Sequence, residues 1–349
     1  MAIITGTAGG DTLFGTQFDD EMDGQDGNDV LRGRRGDDRI EGGTGIDFLI
    51  GRHGDDVYFV DHVRDKVAER FGEGSDIVIA TVSLRLRREI ETLELHGTAR
   101  RGWGNELDNN VFARNLDPVD NVLDGGAGAD FMSGSRGSDT YYVDNAGDRM
   151  QERGGEIDLV YSSVSFDLGG DLDPLSGEAY LEDLVLTGDV AIDGTGNDRV
   201  NRITGNGAAN TLSGGVGGDT LVGGEGDDRL FGGTGLDRLV GGAGEDRFFF
   251  EQIFFGFSFA HTIEDFSSAD DAILLDRAAF AGIGSDGTLD PEAFATGTAA
   301  QEADDRIIYD PETGRIRYDP DGTGEERAVI FAIVAPGTEM ASTDFVGYS

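Results

Sequence analysis

Between Asp11 and Asp56 every ninth residue is an aspartate, and after a long interruption the same spacing returns from Asp219 to Asp246. The acids from Asp219 to Asp246 sit in a frame of the form Gly-Gly-x-Gly-x-Asp-x-U-x, where U is a large apolar residue, and those from Asp11 to Asp56 in a looser version of it. The cleanest run, 214–249, reads GGVGGDTLV, GGEGDDRLF, GGTGLDRLV and GGAGEDRFF with nothing inserted between copies. Carboxylate oxygens and backbone carbonyls are hard donors, and Ca2+ takes about 6–8 of them at roughly 2.3–2.6 Å. Glycine turns tightly, through conformations closed to side chains with a Cβ. A bent Gly-rich backbone can therefore turn its carbonyls toward the Asp. The chemistry this spacing offers is capture of a hard cation.

The elements that would position those acids follow from the same frame. The last three residues of a unit, such as Thr220-Leu221-Val222, read as a short strand whose middle side chain points to a core. Two nonapeptides close one coil of about 18 residues, so turns n and n+2 stack on one edge. An interior cation site then needs two motifs. The first block, residues 6–59, carries acids Asp11, Asp20, Asp29, Asp38, Asp47 and Asp56 and inward residues Leu13, Met22, Leu31, Ile40, Leu49 and Tyr58. Phe18 stands where a turn glycine is expected, and Arg34 and Arg52 replace second glycines. The second block, 104–142, is degenerate. Asn109 and Asn121 take the Asp position, an insertion near 116–118 breaks the spacing, and two full motifs follow with Asp130 and Asp139. The third block opens on Asn201 and Asn210 before its four full motifs with Asp219, Asp228, Asp237 and Asp246. An Asn can hold a turn through side-chain hydrogen bonds but brings no charge. The Asn turns are expected to be structural lead-in coils.

Residues 60–103 leave the nine-residue period and alternate apolar with polar, which reads as strands and turns. Residues 143–195 repeat that spacer: Asp65, Glu69 and Asp76 find counterparts in Asp148, Glu152 and Asp158. Block plus spacer is thus duplicated, and repeats at two scales argue for a solenoid. The expected organisation is a first roll at 1–60, a β-rich spacer at 61–103, a second roll at 104–142, a second spacer at 143–195, a third roll at 196–250 and a C-terminal cap at 251–349. In the cap, Phe248-Phe249-Phe250 and Ile253-Phe254-Phe255 would close the open end. Arg306 to Asp310 and Arg315 to Asp319, joined by Pro-Glu-Thr-Gly, read as a hairpin.

With these repeats, the Glu264-Asp265-Phe266 region, the Tyr309 to Gly322 hairpin and the tail Asp344-Phe345-Val346, the chain resembles the RTX (haemolysin-type) calcium-binding nonapeptide-repeat family. The resemblance implies an all-β fold: right-handed parallel β-roll (β-solenoid) blocks separated by β-rich spacers, with an antiparallel β C-terminal cap. It implies several Ca2+ ions, held by the sixth-position acids named above and by backbone carbonyls of the Gly turns. In the first block those glycines are Gly24, Gly27, Gly33, Gly36, Gly42 and Gly45; in the second, Gly125, Gly128, Gly134 and Gly137. In the third they are Gly214, Gly217, Gly223, Gly226, Gly232, Gly235, Gly241 and Gly244. It also implies export by a type I secretion apparatus through an uncleaved C-terminal signal, and folding outside the cell.

Composition narrows the partners. The formal net charge of −42 excludes neither a cation nor a neutral surface, but it disfavours nucleic acid and anionic membrane. About 8–12 bound Ca2+ would cancel about half of it, so a chain largely unfolded without calcium is expected. There is no Cys, no apolar run near the ~20 residues of a membrane span, and Met1-Ala2-Ile3-Ile4-Thr5 runs into the first repeat with no leader pattern. The expected location is extracellular. His53, His62, His96 and His261 are scattered singly, with no HExxH motif. Gly256-Phe257-Ser258-Phe259-Ala260 has the outline of a nucleophile elbow without an α/β context. The expectation is a non-enzymatic scaffold, adhesin or matrix component with a cell-surface or polysaccharide ligand. The alternative is the calcium-dependent secretion and targeting module of a larger secreted enzyme, of the protease, lipase or polysaccharide epimerase type.

Overall fold

Each nonapeptide uses its glycines for a turn and its last residues for a short strand, as at Thr12–Phe14, Glu21–Asp23, Val30–Arg35, Arg39–Glu41 and Phe48–His53 of the computed structural model. The structure describes residues 1–115, 118–152, 157–170, 180–253 and 260–349. The insertion near 116–118, Phe254 and Phe255 of the expected aromatic cap, and 256–259 of the elbow-like motif thus lie wholly or mainly outside the described residues. Among the described residues the regular elements are strands, apart from two single turns of 3-10 helix at Pro291–Ala293 and Ser342–Asp344. No described helix is long and apolar enough to cross a membrane. The chain forms two compact units, one built from Met1–Tyr161 and the other from Ser162–Gly170 with Glu182–Ser349.

In the first unit, pairing between successive coils is parallel. Leu13 lies beside Leu31 and Leu31 beside Leu49. In the other sheet Ile4, Met22, Ile40 and Tyr58 form a second column. Met22, Leu31, Ile40, Leu49 and Tyr58 are fully buried, because alternation along a strand sends one side chain per three-residue strand inward. Residues 61–103 lose the nine-residue period without leaving the coil. Ile77–Ala80, Thr92–Leu95 and Asn110–Ala113 extend the same sheet, and Val78, Leu93 and Val111 continue the column of Tyr58. Register is fixed by backbone pairing and by the buried residue of each strand, so the loops between can change length freely.

The second unit repeats the scheme. Asp183–Leu186, Arg202–Thr204, Thr220–Glu225, Arg238–Ala243 and His261–Ile263 make one parallel ladder. Gly194–Thr195, Thr211–Ser213, Arg229–Phe231, Arg247–Phe250 and Ala272–Asp276 make the other. The antiparallel strands expected at the C-terminus are present: Ile307–Asp310 pairs with Arg315–Tyr318, which pairs with Val329–Ile333. Asp310 fastens the hairpin turn by accepting from Thr313 Oγ1 at 2.6 Å, while Gly314 takes a left-handed φ of 70°. Val329–Ile333 docks parallel on His261–Ile263, and Phe345–Tyr348 on Ala272–Asp276. Phe248, Phe250, Phe280 and Phe331 are buried at this end.

Candidate metal centre

Stacking the coils places the sixth-position acids in columns, and one bond repeats down every column. The backbone N–H of each acid donates to Oδ1 of the acid one coil later. Asp11 gives to Asp29 and Asp29 to Asp47; Asp20 gives to Asp38 and Asp38 to Asp56. Asn109 gives to Asp130 and Asn121 to Asp139. In the second unit Asn201 gives to Asp219, Asp219 to Asp237, Asn210 to Asp228 and Asp228 to Asp246. These bonds span 2.6–2.9 Å.

The second carboxylate oxygen is left open. Oδ2 of Asp29, Asp38, Asp47, Asp56, Asp130, Asp139, Asp219, Asp228 and Asp246 is buried and accepts no hydrogen bond. Each faces the first glycine of its own motif. An ideal Cβ on Gly214 would fall 2.5 Å from Asp219 Oδ2 and 2.6 Å from the carbonyl oxygen of Gly232, one coil on. Cβ atoms on Gly24 and Gly223 would meet Asp29 with Gly42, and Asp228 with Gly241, in the same way. None of these first glycines has a left-handed φ. Their missing Cβ instead leaves a cradle between a carboxylate and a carbonyl. Taking an ionised carboxylate out of water without a partner is among the costliest burials. Burial, reinforced by neighbouring carboxylates, pushes Asp56 up to about 8 and Asp38, Asp130 and Asp228 to about 7. It pushes Asp47, Asp139, Asp219 and Asp246 to about 6. Open oxygens facing carbonyls in a Cβ-sized space are a donor set that fits a hard cation.

The first member of five columns differs. Asp11 Oδ2 accepts from Thr7 N–H and Asp20 Oδ2 from Thr16 N–H, both at 2.6 Å. Asn109, Asn201 and Asn210 accept the equivalent bond from Asn105, Asn197 and Asn206. The Asn amide nitrogens also donate backwards, Asn109 to Ile90 O, Asn201 to Glu182 O and Asn210 to Ile192 O. An amide can accept from its own turn and donate to the carbonyl behind it; a carboxylate cannot do the second.

The last members were not among the predicted ligands. Asp65, Asp76, Asp148, Asp158 and Asp271 continue the columns by accepting from Asp47, Asp56, Asp130, Asp139 and Asp246. Asp65 and Asp148 stand 18 residues after the preceding acid, a coil-length signal readable in the sequence. Asp76 and Asp271 stand 20 and 25 residues on, because their loops are longer. One column ends differently. His261 Nδ1 lies 2.7 Å from Asp237 Oδ2, so this carboxylate faces an imidazole. A second type of terminal acid covers the glycine turn itself: Glu69 accepts from Gly51 and Arg52 N–H, and Asp265 from Gly241 and Gly242 N–H.

The third glycines of the motif, Gly27, Gly36, Gly45, Gly128, Gly137, Gly217, Gly226, Gly235 and Gly244, have left-handed φ between 98° and 147°. They pack against the backbone of the coil before rather than around Oδ2; an ideal Cβ on Gly45 would overlap the Gly27 carbonyl. At the second-glycine position Arg34 and Arg52 are held at φ 92° and 82°. The remaining histidines lie apart. His96 meets Glu94 at 3.1 Å and His53 meets Glu73 at 3.6 Å.

The profile of the RTX calcium-binding nonapeptide repeat (4 copies) matches residues 5–40, 33–61, 119–149, 187–221, 195–230 and 222–251. No curated protein matches the chain. The matched segments are those in which the cradled carboxylates recur: the chain carries several copies of the RTX calcium-binding nonapeptide repeat.

Proposed function

We propose that this is an extracellular protein whose solenoid folds on binding several Ca2+ through the cradled sixth-position carboxylates, and that the folded solenoid serves as a scaffold, adhesin or matrix component. The observation that carries the reading is the row of buried Oδ2 atoms with no donor. Bound calcium supplies the positive charge that lets these groups stay ionised in the core. The protein supplies the rest. Column N–H groups fix Oδ1, the missing Cβ of the first glycine keeps the cradle clear, and the third glycines bring successive coils close enough to share it. Because the cradles form only when coils stack, binding and folding are one event. Carbonyl-rich sites with about one or two carboxylates suit the weak affinities, about 0.1–1 mM, of extracellular calcium modules. Such sites stay empty at low cytosolic calcium. This supports export of the unfolded chain, by a type I apparatus, and folding outside.

The proposed role is binding rather than catalysis, with a polysaccharide or cell-surface ligand. The buried open groups are periodic acids, not a nucleophile paired with a base. Far-UV circular dichroism tests the folding claim: coil in chelator, β structure at millimolar calcium. A full β spectrum in chelator with unchanged thermal stability would defeat it. A glycan and surface-binding screen of the calcium-loaded chain tests the ligand class, alongside hydrolase and epimerase assays.

A further inference from the structure

At two places a sixth-position acid is joined by two acids from outside the nonapeptides. Asp56, Glu69 and Asp76 bring one oxygen each within 4.8 Å of one another, and so do Asp139, Glu152 and Asp158. The two trios come from separate stretches of chain, the duplicated block ends, yet are built alike. In each, a fully buried tyrosine, Tyr58 or Tyr141, lies against the glutamate with its hydroxyl donating to Oε1. The same hydroxyl accepts from a glycine N–H, Gly51 at 2.7 Å and Gly134 at 2.8 Å. Glu69 also accepts from Gly51 N at 2.9 Å and Arg52 N at 3.0 Å, so its carboxylate is fixed before any ligand arrives.

Glu69 stands 18 residues after Gly51, where a continuing roll would have its next glycine. In the interior cradles the carboxylate of one turn faces that glycine's carbonyl. Here it faces a second carboxylate. Asp56 is fully buried, its Oδ2 accepts no hydrogen bond, and it crowds the space beside Gly51 that Tyr58 Oη also borders. Asp139 Oδ2 does the same beside Gly134 with Tyr141. Three carboxylates that meet around an Oδ2 with no hydrogen bond, that of Asp56 or of Asp139, call for a positive charge, and their oxygens are the donors a hard divalent cation takes.

We propose that each trio turns the last cradle of its column, that of Asp56 or of Asp139, into a three-carboxylate cation site that takes one calcium-like ion under a tyrosine, a proposal that rests on the cation reading of the cradles. With more anionic ligands than a cradle, it would fill at lower calcium and lock the end of its roll. The tyrosine provides the readout. Terbium, a hard ion that substitutes for calcium, emits when an adjacent tyrosine is excited. The full-length chain, freed of metal and titrated with terbium, should show tyrosine-sensitised emission in the earliest part of the titration. Glu69→Gln with Glu152→Gln keeps acceptors for the glycine N–H groups but removes one charge per site. This pair should lose most of the early emission and about two bound ions. Unchanged emission and ion count would overturn the proposal. If that pair fails to fold in calcium, Tyr58→Phe with Tyr141→Phe decides. Loss of emission at full ion count supports the sites, and retained emission refutes them. Asp228→Asn, in a cradle without tyrosine, should lower the ion count and leave the early emission intact, so failure of the cradle reading would be seen separately.

Discussion

Asp228→Asn should change stability in opposite directions with and without calcium. Asp228 Oδ1 accepts the Asn210 N–H at 2.7 Å, and an amide oxygen can keep that bond. Oδ2 has no donor and faces the cradle, where an ideal Cβ on Gly223 would fall 2.5 Å from the Gly241 carbonyl oxygen. An amide nitrogen in that place can donate to the carbonyl. In chelator the variant therefore trades an unmet buried acceptor for a hydrogen bond, a gain of about 1–3 kcal/mol. In calcium it loses the ion. Binding one ion at about 100 times its Kd stabilises by about 2.7 kcal/mol, which for a unit of about 150–250 residues is about 5–11 °C in melting temperature. The assay is a pair of melts followed by circular dichroism, one in saturating calcium and one in chelator with an osmolyte to favour the compact state. Equal destabilisation in both would show that the carboxylate serves protein contacts and would refute the cradle. The natural Asn210 already shows the amide solution, donating to Ile192 O at 2.6 Å.

Gly214→Ala tests the same cradle by volume. Its Cβ would sit 2.5 Å from Asp219 Oδ2 without any left-handed strain, so the variant should bind about one ion fewer by equilibrium dialysis; an unchanged count would mean the space is not used. Arg52→Gly should raise the urea midpoint, since φ 82° costs a side-chain residue about 1–2 kcal/mol, and a lower midpoint would show that the Arg side chain outweighs the strain. In chelator, acidification should favour the folded chain. Asp38 and Asp56 are raised from 3.8 to about 7 and about 8, so the folded state binds more protons than the unfolded one. Stability without calcium should therefore fall as pH rises from about 4 to about 8, and β content that grows with pH in chelator would contradict this. Asp20→Asn should leave the ion count unchanged, because Thr16 N–H already occupies its Oδ2, while Asp38→Asn one coil later should lower it; equal losses would remove the distinction between first and interior members.

The coil, its parallel stacking and the inward column were legible because the signal is local: nine residues contain the turn, the strand and the core side chain. The continuation through 61–103 was not, since Tyr58 stacks on Val78 and Val78 on Leu93 across loops of unequal length. Backbone pairing tolerates such loops, and a fixed-period search does not. The acids of the interior columns were readable, as was the equivalence of Glu69 with Glu152. The role of those glutamates was hidden because it depends on Tyr58 and Tyr141, whose sequence position marks them only as core. The pairing of Asp237 with His261 was beyond reach for a similar reason: 260–263 enters the ladder after a break in the repeat.

The column bond also explains why the blocks begin and end as they do. Each acid receives at Oδ1 an N–H from the coil before it, so the column has a direction. A first member that meets a carbonyl behind it is an asparagine, as Asn109 meets Ile90 O and Asn210 meets Ile192 O, whereas Asp20 accepts the Ala2 N–H there. A carboxylate there would face that carbonyl with like polarity, whereas an amide donates to it. At the far end the last open Oδ2 has no following glycine carbonyl, and a polar side chain takes the place: Glu69 next to Asp56, His261 next to Asp237. The Asn turns and the terminal acids are therefore not decayed repeats. An Asn suits an end that meets a carbonyl and a terminal acid suits the end that receives the last N–H, while the columns of Asp11 and Asp20 begin on an acid held by its own turn.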